Sequence, residues 1–239
     1  MLHDICIPTA VCRNQHKGVR NMRTETGTFD IGDGPISQMP FLTYYPDDYT
    51  GEQRVPLIIS LHGSGERGTD LDLVKLHGLP YEIENGREVP AIVIAPQLPL
   101  EMRWSNIVPT MQILLEAALP NHNIDQDRMY LTGLSNGGAG TWSWAAAHPD
   151  QFAAIAPICG RTNPEDAHKI AHMPIWVFHG DADDVVPVEE TTQMVDALKA
   201  AHADKLKVTI YPGVDHASWV PAYADDALYE WLFAQKLPG

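Results

Sequence analysis

Residues 129–148 read MYLTGLSNGGAGTWSWAAAH, and the fold turns on what they imply. An apolar run at 129–131 leads into Gly133-Leu134-Ser135-Asn136-Gly137, a match to G-x-S-x-G, and small residues at 139–147 follow. A strand, a sharp turn and a helix in that order put the serine hydroxyl at the tip of the turn, facing solvent. Such a turn crowds the backbone, so Gly133 and Gly137 are positions where a side chain would be in the way. Gly138, Ala139 and Gly140 then let the helix lie close against the sheet. The same five residues also fit a glycine-rich turn in which Ser135 only caps the helix. Partners elsewhere in the chain decide between the two.

Upstream, Val55–Leu61 is nearly continuous aliphatic sequence, the pattern of a strand covered on both faces, and it runs into His62-Gly-Ser-Gly-Glu-Arg-Gly68. Short strand-like pieces lie between 27 and 49, a short helix is expected at 70–77, and 91–95 reads as another buried strand. Thr110 is placed to cap a helix over 111–119. Downstream come strands at 152–158, 174–178 and 206–211. Helices are expected at 164–171, 189–201 and 219–235, the second with acids in its first turn where the macrodipole favours them. Buried strands alternating with amphipathic helices predict an α/β fold with a doubly wound, mostly parallel sheet. Residues 1–25 read as an amino-terminal arm and 26–239 as one domain, since no repeat or linker composition interrupts them.

Composition narrows the partners. The 239 residues carry a formal charge of −15 and a sequence pI near 5.0, which repels phosphate backbones and anionic headgroups. Nucleic acid and stable membrane association are therefore disfavoured. Cys6, Cys12 and Cys159 cannot all pair, and Cys6, Cys12 and His16 match no zinc spacing. The basic residues near the start follow the apolar patch rather than precede it, the reverse of a secretory signal, so a cytoplasmic location is expected. No glycine pattern for a nucleotide is present, so no cofactor is expected. His168 and His172 stand four apart but lack an acid or cysteine to complete a metal site, so no metal is expected either.

A serine hydroxyl attacks well only when a histidine takes its proton and a carboxylate orients that histidine. In a parallel sheet the loops after the strands converge on one edge, so the acid and base should follow later strands in the order serine, acid, histidine. His179-Gly-Asp-Ala-Asp-Asp184 follows one strand, and Pro212-Gly-Val-Asp-His216 follows the last. His216 is the expected base. His179, placed before its glycine turn, is a rival expected to pack at the strand end. Asp183 is favoured over Asp181 for reach, with Asp184 the alternative. Backbone N–H groups for a developing oxyanion would come from Asn136, just after the serine, and from the glycine-rich loop, with Ser64 first and Gly65 second. Glu66 and Arg67 are expected to form an ion pair that shapes that loop, with action on substrate the alternative.

LHGSGERGTD (61–70), VIAPQ (93–97), LTGLSNGGAGTW (131–142), HPDQFAAIAPICG (148–160), PIWVFHGDADDVVPV (174–188) and GVDHASWVPAY (213–223) together resemble the α/β-hydrolase superfamily. The likeness is to its small carboxylesterases, the phospholipase/carboxylesterase and dienelactone-hydrolase-like groups, which lack a large cap domain. That resemblance implies Ser135 as nucleophile, Asp183 as acid and His216 as base, acting on small-molecule esters through an acyl-enzyme. Arg161 departs from the glycine common at this point in the relatives, and an arginine there could select acidic or polar substrates. Trp104 and Trp219 are expected at the rim of a shallow cleft, with Gly65 and Arg161 near substrate. Feruloyl or acetyl-xylan esterases, lysophospholipases, thioesterases and peptidases share the pattern, and a non-catalytic binding protein is the remote alternative. The reading leaves room for a homodimer.

Overall fold

The computed structural model describes residues 22–30 and 37–238. The strands are β1 (Arg23–Asp30), β2 (Gln38–Tyr45), β3 (Val55–Leu61), β4 (Ile92–Pro96), β5 (Ile124–Leu134), β6 (Ala154–Ile158), β7 (Ile175–Gly180) and β8 (Leu206–Tyr211). The helices are α1 (Gly78–Glu84), α2 (Val108–Ala118), α3 (Asn136–Ala147), α4 (Ala167–Ile170), α5 (Val188–Ala200), α6 (Trp219–Ala224) and α7 (Asp226–Phe233). One sheet runs β1-β2-β4-β3-β5-β6-β7-β8. The pairs β1–β2 and β2–β4 are antiparallel, and every pairing from β4 through β8 is parallel. This is the doubly wound α/β-hydrolase arrangement.

Period-two alternation splits the core into two layers. Leu57, Ile59 and Leu61 of β3 face one side with Met111 and Leu115 of α2, Trp144 of α3 and Leu198 of α5. Ile58 faces the other with Leu79 of α1, Tyr223 of α6 and Leu232 of α7. All seven residues of β3 are buried, as expected of a strand with helices on both faces. Between β6 and β7 the chain forms only a short turn and the single-turn α4, so no cap is inserted there.

Several boundaries differ from those expected. Residues 1–21 of the expected arm, with Cys6, Cys12 and His16, lie outside the described residues, and its last residues open β1. Thr110 lies inside α2 rather than capping it. Pro109 suits a helix's first turn, so the helix starts upstream, with Ile107 at the cap position. The closing helix is two, because the Asp225 carboxylate accepts the Ala227 N–H and starts α7 afresh. Among the described residues, no helix is long and apolar enough to cross a membrane.

Candidate active site

The carboxyl ends of β3, β5, β7 and β8 bring four loops to one edge of the sheet. Ser135 stands between β5 and α3 with φ +54° and ψ −113°, a region that non-glycine residues rarely adopt. The turn can be this tight only without side chains nearby. A Cβ on Gly137 would collide with the Leu61 carbonyl, and one on Gly133 with the Gly137 carbonyl. Ser135 occupies the cap position of α3, yet its hydroxyl makes no capping bond. It meets His216 Nε2 instead, at 2.9 Å.

His216 Nδ1 lies 2.7 Å from Asp183 Oδ2. Asp183 Oδ1 accepts the N–H groups of Val185 (2.9 Å) and Val186 (2.8 Å). Burial pushes this carboxyl up, but the hydrogen bonds from His216 and the two amides outweigh it and hold Asp183 below the ordinary aspartate range. It therefore stays ionised and accepts Nδ1–H, which leaves the Nε2 lone pair of a neutral His216 facing the serine. Asp181 is used otherwise, accepting Gly213 N–H to hold the β8 turn, and Asp184 is exposed.

His179, the rival base, is fully buried. Its Nδ1 meets Thr191 Oγ1, and its Nε2 meets the Val186 carbonyl and lies 3.1 Å from Asp183 Oδ2. It packs at the strand end as expected, and it also braces the carboxylate, which the sequence alone did not suggest. Cys159 lies beside the three residues, but burial pushes its thiol up to about 12, so it stays protonated.

The loop at 62–68 is pinned by buried polar groups. Burial pushes His62 down to about 4, so its ring is neutral. Its Nε2 accepts Leu98 N–H (2.9 Å), so Nδ1 carries the proton that goes to the Gly63 carbonyl (2.6 Å). Gln97 donates from one amide nitrogen to the carbonyls of Glu66 and Asp70. The expected Glu66–Arg67 ion pair is absent. Arg67 Nε donates to the Ser64 carbonyl (2.8 Å), while the buried Glu66 carboxylate lies 3.8 Å from both His62 and His77.

A cleft of about 360 Å³ opens beside Ser135 and is lined by Ser64, Asn136, Arg67, Arg103 and Arg161, among others. Three of the sixteen cationic side chains thus gather here, in a chain with thirty-one acids. Arg161 also pairs with Glu190 (3.0 Å). Gly65 is exposed and outside this lining.

Trp104 is not at the rim, contrary to expectation. It is 1% exposed, donates Nε1–H to the His62 carbonyl (2.9 Å) and stands edge-on to the His62 ring. Its neighbour Arg103 takes the rim position. Trp219 lies on the other flank, edge-on to His216 with ring centroids 5.3 Å apart. His168 and His172 point to different partners, the Glu165 carbonyl and the Pro149–Asp150 turn.

Residues 84–227 match the model of the dienelactone hydrolase family. A relative from Salmonella typhimurium, whose name contains the word carboxymethylenebutenolidase, is 33% identical over 39% of this chain and 37% of its own. "Probable feruloyl esterase C" of Aspergillus terreus is 27% identical over 67% of this chain and 61% of its own. A solved structure of a thermostable esterase is 33% identical with a TM-score of 0.77, covering 89% of this chain and 63% of that one. All three are longer, the chain spanning less than two thirds of each. A match over more than half the chain, carried on this sheet order and with Ser135 at the turn after β5, means that the chain belongs to the dienelactone hydrolase family.

Proposed function

We propose that this chain is a serine carboxylesterase that works through an acyl-enzyme. The observation that carries the reading is the position of His216, with Ser135 Oγ at Nε2 and Asp183 Oδ2 at Nδ1. Ser135 Oγ attacks the ester carbonyl carbon while its proton passes to His216 Nε2. The tetrahedral oxyanion is held by the N–H groups of Asn136 and Ser64, both of which border the cleft. As the C–O bond breaks, His216 returns the proton to the leaving alcohol. Water, deprotonated by the same nitrogen, then attacks the acyl-serine and releases the carboxylic acid. The family match and the esterase relatives support ester hydrolysis as the reaction.

A fluorophosphonate should phosphonylate Ser135 in the native protein, and the labelled peptide read by mass spectrometry should span residue 135. Failure to label overturns the reading and would favour a binding protein, whereas labelling of another serine would overturn the assignment of Ser135.

The cleft supports short, polar acyl groups. A buried methylene is worth about 0.8 kcal/mol, and an open cleft bordered by three arginines buries few of them. Acyl groups from acetyl to about hexanoyl are expected to give the highest kcat/KM, with no rate jump at an oil–water interface. A peak at dodecanoyl or beyond would refute this. The arginines also favour an acyl group that ends in a carboxylate. Because Arg103 and Arg161 are exposed, the preference for a hemisuccinate over a butyrate ester should be about tenfold at most. A feruloyl ester is the second reading, favoured by the likeness to the Aspergillus terreus protein; higher turnover of methyl ferulate than of butyrate esters would establish it.

A further inference from the structure

The lining of the cleft described above leaves out His77, Trp219 and Glu66, which connect to the site through the contact of Trp219 with His216. Glu66 is 4% exposed, and its Oε2 has no hydrogen-bond partner among the described residues. Its Oε1 lies 3.8 Å from His77 Nε2. The His77 ring leans on Trp219 at 5.6 Å, and Trp219 in turn stands against His216. Trp219 thus touches both His216, hydrogen-bonded to Asp183, and His77, which has Glu66 3.8 Å away.

Local structure fixes His77 at the edge of the sheet where Ser135 lies. It occupies the cap position of α1 without capping it, its side chain turned to Glu66 and Trp219 instead. The next residue, Gly78, has φ +72° and is so close to Leu134 that an added Cβ would lie 3.0 Å from its side chain. Leu134 immediately precedes Ser135. His77 is half-exposed, and its Nδ1 has no partner among the described residues.

The esterase chemistry tells which half of a substrate meets these residues. The imidazole that returns the proton must lie beside the leaving oxygen, so the alcohol sits on the His216 side and the acyl group extends toward the arginines. Glu66 faces Nε2 of His77, so Nδ1 is the ring nitrogen left to accept from a ligand hydroxyl. A free ring nitrogen next to an indole suits an alcohol that carries a further hydroxyl.

We propose that His77 is a specificity-determining residue for the leaving alcohol, accepting a hydrogen bond at Nδ1 from a second hydroxyl of a polyol or sugar ester, with Glu66 as its positioning residue. The inference rests on the esterase reading. The test compares 1-butyrylglycerol with ethyl butyrate, which share the acyl group and differ in the alcohol. His77→Phe keeps a ring against Trp219 but removes the acceptor. It should lower the ratio of kcat/KM for the glyceryl over the ethyl ester about fivefold, the factor given by a net hydrogen bond of about 1 kcal/mol. His77→Gln, which restores an acceptor oxygen, should recover part of that ratio. Glu66→Gln should move the ratio in the same direction, since the carboxyl that faces His77 Nε2 is gone. An unchanged ratio in His77→Phe, or an equal loss on both esters, overturns the assignment of His77. An equal loss on both esters in Glu66→Gln overturns the role given to Glu66. Absence of turnover together with no fluorophosphonate label at Ser135 would instead overturn the esterase reading beneath them both.

Discussion

Replacing Ser135 with alanine is expected to cut kcat/KM on short esters by at least about 10⁴-fold while leaving the fold intact. Alanine keeps the Cβ that the backbone at φ +54° already accommodates, and the serine hydroxyl makes no capping bond whose loss would weaken α3. His216→Ala should cost a similar factor, because a hydroxyl without a base is a poor nucleophile. The double variant should be hardly slower than either single one, since the two groups act as a unit. Thermal unfolding and fluorophosphonate labelling separate the outcomes. Both variants should melt close to the parent, and neither should label. Additive losses in the double variant would mean that the two residues work independently, and the acyl-enzyme scheme would fall.

The second large effect is expected at Asp183. In Asp183→Asn the side chain is still bound by the amides of Val185 and Val186, so one oxygen stays on their side. The new NH₂ then faces His216 as a donor and turns Nδ1 into an acceptor. The proton of the neutral ring moves to Nε2, the nitrogen that should receive the serine proton, and kcat should fall by about 10⁴-fold. Asp184→Asn, at an exposed position, should stay within about twofold of the parent. Damage of equal size at Asp184 would reassign the acid. Acid unfolding gives an independent reading. A carboxyl held below its unfolded value contributes stability that is present above that value and lost as pH falls through the lower, folded one. The parent's stability advantage over Asp183→Asn should therefore shrink below about pH 4.

What could be read from the sequence was what is local. Strand β3 announces itself by an unbroken aliphatic run, and the Gly133–Gly137 turn by residues whose backbone cannot tolerate a Cβ. The order of Ser135, Asp183 and His216 follows from strand order, so their convergence was legible before any coordinates. Trp104 was not. An indole in a loop suits a rim as well as a wedge, and only its bond to the His62 carbonyl, made across forty-two positions, separates the two. Arg103 was missed for the same reason and Arg67 was expected to pair with Glu66, since nothing in their spacing tells that they share a cleft with Arg161. The approach of His179 to Asp183 is not legible either, because a histidine at a strand end four positions before the acid suits a packing role as well.

Trp104 has a consequence for how the reaction would start. Its indole nitrogen holds the carbonyl of His62, and its Cβ fills the space that a side chain at position 140 would need, on α3. The loop bearing Ser64 and the helix that begins at Asn136 thus both rest on the Trp104 side chain. That shared support links the placement of the two amides. A developing negative charge between them would meet dipoles already aligned, with little reorientation left to do during bond making. Trimming the indole to a smaller ring would then leave a protein that folds and binds its ester, yet stabilises the tetrahedral intermediate less well.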